Sequence, residues 1–175
     1  GDRSSNYPSP GSFVDSGIPF INAGHVSKGK ISMKDMNYIS HKAFDKLGGG
    51  KIKIGDILFC LRGSLGKYGI VDKNLDCGAI ASSMVIVRPK KIRVSRIFLK
   101  CYFDSSLCEK MIELWAGGAA QPNLGAQEMA KFSVVIPKDL QEQKLIANVF
   151  LEMDKEIDAL ENRLNKTQQI KQGMM

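Results

Sequence analysis

The sequence predicts an α+β chain: a β-rich domain with short helices, followed by one long C-terminal helix of coiled-coil type. Three observations predict it. Residues 139–175 contain no proline and a single glycine, Gly173, and their apolar residues recur at alternating steps of four and three: Ile146, Phe150, Met153, Ile157, Leu160, Leu164. That is heptad spacing, the pattern of a helix that lies along another helix. Residues 51–87, by contrast, are short apolar or alternating runs cut by glycine and aspartate, as in strands with short connections. Charge divides at the same place. Residues 1–139 hold 20 Lys+Arg against 12 Asp+Glu, a net of +8, and residues 140–175 hold 5 against 6, a net of −1. The expected organisation is a basic domain over 1–138 and a neutral helix over 139–175.

Taken in order, residues 1–17 are rich in Ser, Asn, Pro and Gly and read as an extended loop. Ile18-Pro19-Phe20-Ile21 is a short strand whose proline suits an edge or a strand start. Residues 25–31 alternate weakly, with Gly24 and Gly29 as turn points. Ser40 caps a short helix through Leu47, which Gly48-Gly49-Gly50 ends. Lys51-Ile52-Lys53-Ile54 alternates strictly and reads as a strand. After the Gly55-Asp56 turn, Ile57 to Leu61 has the pattern of a buried strand. The loop Arg62-Gly63-Ser64-Leu65-Gly66-Lys67 leads to a strand over 68–71. A turn over 72–76 precedes Ala79 to Ser83 and the strand Met84 to Val87, stopped by Pro89. Ser95 caps a helix through Phe103, and Ser106 with Glu109 has capping-box spacing for a second helix to Trp115. A loop over 117–124, a short helix over 127–131 and a strand over 132–136 follow. Asp139 with Glu142 then opens the long helix.

Composition narrows the class. The 175 residues are 43% hydrophobic, which suits one domain with its own core plus the helical extension. No apolar run reaches about 18 residues, and no basic n-region precedes an apolar stretch, so neither a membrane span nor a secretory signal is expected. The chain opens on Gly1-Asp2-Arg3 without an initiator Met, as expected of a fragment or a trimmed chain. Cys60, Cys77, Cys101 and Cys108 form no CxxC pair and read as free thiols in a reducing cytoplasm. His25 and His41 have no third ligand at a useful spacing, so neither a metal nor a cofactor is expected.

The basic domain leaves two readings open, nucleic-acid binding and a generically basic surface. Arg62-Gly63-Ser64-Leu65-Gly66-Lys67 lacks the full phosphate-loop pattern, and a strand rather than a helix follows it, so a nucleotide site is not expected. A turn aiming Arg62 and Lys67 at a nucleic-acid backbone competes with a structural hairpin. Gln121-Pro122-Asn123 sets two amides on a rigid loop, the chemistry that reads an adenine edge, although loop amides also hold turns. Ser82-Ser83 and Ser4-Ser5-Asn6-Tyr7 are small polar runs suited to phosphates, base edges or ordinary turns. Trp115 reads as core. No amino-methyltransfer block, cofactor loop, nucleophile elbow or zincin pair occurs, which favours a binding module over an enzyme.

Gly17-Ile18-Pro19-Phe20-Ile21, Tyr38-Ile39-Ser40, Gly55-Asp56-Ile57-Leu58, Gly63-Ser64-Leu65-Gly66, Ala81-Ser82-Ser83 and Gln121-Pro122-Asn123-Leu124 occur in that order. They precede Pro137, Glu142 to Ala147, Asp154 to Ile157, Leu160-Glu161 and Lys171 to Met175. The series resembles the specificity (S) subunit of type I restriction–modification systems, and more closely one half of it: one target-recognition domain and one spacer helix. The resemblance implies a non-catalytic subunit reading one half of a bipartite sequence in double-stranded DNA. Methylation (M) and restriction (R) subunits do the chemistry, and the helix pairs antiparallel with a second S half or with another copy. The residues implied at the DNA are Ser4, Asn6, Tyr7, Arg62, Ser64, Lys67, Ser82, Gln121 and Asn123. Glu152, Lys155, Glu156 and Arg163 on the outer face of the helix are implied for the methylation subunits. The polar seam positions Thr167 and Lys171 imply that pairing fades towards the C-terminus. Two other readings compete: a compact nuclease or methyltransferase acting alone, and a helical adaptor without DNA contact.

Overall fold

The computed structural model describes residues 6–90, 92–116 and 123–173. Ser4, Gln121 and most of the loop over 117–124 lie outside them. The chain divides into two compact units, residues 1–90 with 102–134, and residues 91–101 with 135–175.

The first unit is built on short strands. β1 (Ile18–Ile21), the hairpin of β2 (Val26–Ser27) and β3 (Lys30–Ile31), and β4 (Asn37–Ile39) come first. α1 (His41–Lys46), β5 (Ile57–Cys60), β6 (Tyr68–Ile70), β7 (Ala79–Ile80) and β8 (Met84–Val87) follow. One sheet has the order β4-β1-β7, with β1 antiparallel to β4 and parallel to β7. A second has the order β6-β5-β8 and is antiparallel throughout.

Strand alternation explains the core. Ile18 and Phe20 on one face of β1 pack with Ile39, Leu47, Ala79 and Ala81, while Ile21 on the other face joins Val26, Leu58, Cys60 and Met84. On β5, Leu58 and Cys60 enter that second cluster, and Phe59 instead meets the Phe103 ring at 5.4 Å. The β2–β3 hairpin crosses close over β6 at Gly69, where an added Cβ would lie 2.6 Å from Ile31 and 2.9 Å from Val26. Only glycine permits that approach.

Several elements depart from the sequence reading. Lys51 to Ile54 forms no strand: Lys51 makes one isolated bridge to Ala79, and the Lys53 N–H donates to Asp56 Oδ2 at 2.7 Å. That side-chain bond closes a turn and competes with a ladder. β4 is a strand that the sequence reading passed over. Residues 132–136 have no ladder partner among the described residues, and Val135 is exposed. α2 (Arg96–Phe103) begins after Ser95 as expected, but α3 (Ser106–Trp115) is capped at Ser105, not Ser106. Ser105 makes no side-chain capping bond; its hydroxyl donates to the Tyr102 carbonyl at 2.6 Å. α4 covers Ala126–Met129.

In the second unit, α5 (Leu140–Gly173) is a single helix of 34 residues, about 50 Å long. Asp139 opens it, its Oδ1 accepting from the Gln141 N–H at 2.9 Å. Near its start Gln143 and Ala147 are buried, and the Cys101 thiol donates to the Ala147 carbonyl at 3.8 Å.

Candidate nucleic-acid interface

Arg62 stands where β5 ends. Gly63 and Gly66 both take positive φ, +74° and +86°, so the chain reverses within six residues and returns as β6. The Cys60 N–H donates to the Lys67 carbonyl at 2.8 Å and the Gly66 N–H to the Cys60 carbonyl at 3.2 Å, fixing the turn. Ser82 sits in the turn between β7 and β8, where the Met84 N–H donates to the Ala81 carbonyl at 3.0 Å. Asn123 is carried by a segment tied to the end of β5, the Leu124 N–H donating to the Leu61 carbonyl at 3.0 Å.

These three connections converge. Arg62, Ser82 and Asn123 line one pocket of about 530 Å³, together with Leu61, Gln127 and Glu128. Tyr7 joins from the far end of the chain, its hydroxyl accepting from the Ser82 N–H at 3.1 Å and its ring meeting Phe20 edge-on at 5.7 Å. Arg62 Nε is buried and has no hydrogen-bond partner among the described residues. An unpaired buried donor is stabilised by any acceptor that reaches it. The pocket therefore offers a guanidinium, a serine hydroxyl and two amides, groups that contact phosphates and base edges, beside the Glu128 carboxylate, which suits a base-edge donor and not a phosphate.

The remaining expected residues lie elsewhere. Lys67 is exposed and lines a different pocket, with Lys28, Asp104, Glu109 and Glu113. Ser64 stands within the turn between them, its carbonyl accepting from the Lys67 N–H at 3.1 Å. Asn6 is exposed beside Tyr7. Gln127 is a pocket residue the sequence reading did not single out; its amide, close after Gln121 and Asn123, was the available signal.

The α5 stripe is open. Phe150, Met153, Ile157, Leu160 and Leu164 are each between 51% and 57% exposed, and Ile146 is half-buried. At about 100° per residue Lys155 lies opposite this stripe, whereas Glu156 and Arg163 stand on its flank. Among the described residues no group of three or more His, Cys, Asp or Glu could hold a metal ion, and no helix is long and apolar enough to cross a membrane.

The first unit thus presents a polar pocket, and the second a long helix with an exposed apolar stripe. The chain belongs to the family of type I restriction modification DNA specificity domains, which matches residues 9–172. It is similar to the type I restriction enzyme EcoBI specificity subunit of Escherichia coli, 21% identical over 156 residues, 89% of this chain and 32% of that protein. Its fold is similar to a chain from a solved type I R-M system, with a TM-score of 0.68 and 16% identity over 92% of this chain and 37% of that one. The HsdS subunit from Thermoanaerobacter tengcongensis is also similar, with a TM-score of 0.61 and 15% identity over 82% of this chain and 38% of that one. The chain thus spans about a third of the length of the curated relative.

Proposed function

We propose that this chain reads one half of a bipartite sequence in double-stranded DNA as the non-catalytic specificity component of a type I restriction–modification complex. Residues 1–138 contact the DNA, and residues 139–175 pair with a second S half or a second copy and dock methylation subunits, with restriction subunits joining the assembly. The observation that carries the reading is the convergence of Arg62, Ser82 and Asn123 on one pocket of a basic domain. The half-buried Arg62 is suited to a base edge, which a planar fork of donors can read. Lys67, exposed on its turn, is suited to a phosphate, where it adds attraction without sequence information. Ser4, Asn6, Ser64 and Gln121 complete the proposed DNA-facing set, with Tyr7 positioning Ser82.

Selection of binders from a randomised duplex library tests this. The chain is expected to enrich one short motif. Arg62→Ala is expected to flatten the preference, whereas Lys67→Ala keeps the motif, weakens every duplex alike and lowers the salt slope by about one. Enrichment of no motif overturns the reading. So does turnover of DNA by the chain alone with magnesium and S-adenosylmethionine, which belongs to the enzyme reading.

A further inference from the structure

The charges beside the α5 stripe bear on which helix the proposed pairing takes. With Phe150, Ile157 and Leu164 as one set of seam residues and Ile146, Met153 and Leu160 as the other, each flank is fixed by helical geometry. One flank carries Asp154 and Glu161. The other carries Val149, Glu156 and Arg163. All five side chains are exposed, and among the described residues none of the three acids has an ion-pair partner.

A second copy answers these flanks poorly in both orientations. Laid antiparallel with all six seam residues matched (Ile146 on Leu164, Phe150 on Leu160, Met153 on Ile157), two copies cross at residue 155. Asp154 then faces the other Asp154, and Glu156 the other Glu156. Val149 faces Arg163, and Glu161 faces Ala147. Laid parallel, Glu156 faces Glu161 twice. Neither arrangement sets one acid against one base at the flanks, and flanking charges are what choose partners between otherwise similar seams.

We infer that the α5 seam selects a non-identical helix with Lys or Arg at the positions facing Asp154, Glu156 and Glu161, in preference to a second copy of itself. This rests on the proposed pairing role of α5 and specifies its occupant: a different specificity half, whose helix is basic on both flanks where this one is acidic.

Self-association of the full chain provides the test without the natural partner. The probe is a charge-reversed chain carrying Asp154→Lys, Glu156→Lys and Glu161→Lys, all exposed positions. Wild type, variant and their equimolar mixture are compared by sedimentation equilibrium at low salt, with circular dichroism confirming that the variant keeps its helix. The mixture is expected to form a one-to-one dimer about tenfold more tightly than either chain alone, a gap of about 1.4 kcal/mol. High salt is expected to close that gap. Wild type dimerising as tightly as the mixture overturns the selection and leaves the pairing stripe standing. A mixture that stays monomeric while both chains remain helical overturns the pairing role as well.

Discussion

Gln143 and Ser95, 48 residues apart in the chain, are joined by a 2.7 Å hydrogen bond from the Ser95 N–H to Gln143 Oε1. The same fully buried side chain donates through Nε2 to the Arg93 carbonyl at 3.0 Å and the Pro137 carbonyl at 2.7 Å. One amide therefore satisfies three backbone groups from two separate stretches and gathers them at the start of α5. An amide suits this place because it donates and accepts from one planar group. Gln143→Leu keeps the size and strips all three bonds. With each bared buried group costing about 1–3 kcal/mol, the expected loss is about 3 kcal/mol. Urea unfolding checks it. Gln143→Glu is expected to fail similarly, since a carboxylate cannot donate to two carbonyls.

Arg88 closes on Asp56 with both donors at 2.7 Å, Nε to Oδ1 and one terminal nitrogen to Oδ2. Asp56 is 1% exposed, whereas the Arg88 side chain is 49% exposed. The hydrogen bond to Asp56 raises the Arg88 pKa further, so the guanidinium stays charged. Removing Arg88 leaves a buried carboxylate with the Lys53 N–H as its one remaining donor among the described residues. Because solvent screens the arginine, Arg88→Ala is expected to lose about 1–3 kcal/mol rather than the full cost of a buried pair. Arg88→Lys is expected to recover only part, because an ammonium cannot span both oxygens as the guanidinium fork does. Chemical denaturation of the two variants separates the outcomes.

Burial pushes the Cys60 thiol up to about 11, with Lys67 acting in the opposite direction, and the Cys108 thiol up to about 12. An unfolded thiol titrates at about 8.5, so above that pH the folded chain holds protons that the unfolded chain releases. The stability from these two groups is complete below about pH 8.5 and is lost as pH rises through about 11 and then about 12. Melting midpoints are expected to fall across that alkaline window. A Cys60→Ala, Cys108→Ala chain, although less stable at the outset, is expected to show a flatter alkaline profile. Equal slopes for the two chains would contradict the assignment.

How much was legible follows from the range of each interaction. The Ser40 cap, whose hydroxyl accepts from the Ala43 N–H at 3.2 Å, was legible because it closes within four residues. So was α5, whose seam repeats over many turns, and so were β5 and β8, whose apolar runs are bounded by turns. Lys51 to Ile54 misled because its alternation is genuine while Asp56, outside the run, captures the Lys53 N–H. Arg62, Ser82 and Asn123 each stood out as separate loop residues. Their convergence depends on the bond from Leu124 to Leu61 and on β5 pairing with β8, which no local pattern encodes. Gln143 looked like one more polar helix position, and nothing near it marks Ser95 as its partner.

Leu58 and Leu160 separate what folds the chain from what assembles it. Leu58 is fully buried on β5, and Leu58→Ala is expected to lose about 2–5 kcal/mol, the range for truncating a core leucine. Leu160 is 57% exposed, so in a single chain Leu160→Glu is expected to change stability by no more than about 0.5 kcal/mol. At a paired seam the same substitution must desolvate a carboxylate against the apolar face of another helix, which is far more costly. Mixing wild-type and charge-reversed chains that both carry Leu160→Glu is therefore expected to give monomers, although each keeps the melting temperature of its parent. A parallel fall in melting temperature would mean that the stripe already packs within the single chain, whereas an unchanged dimer would place the pairing surface elsewhere on the molecule.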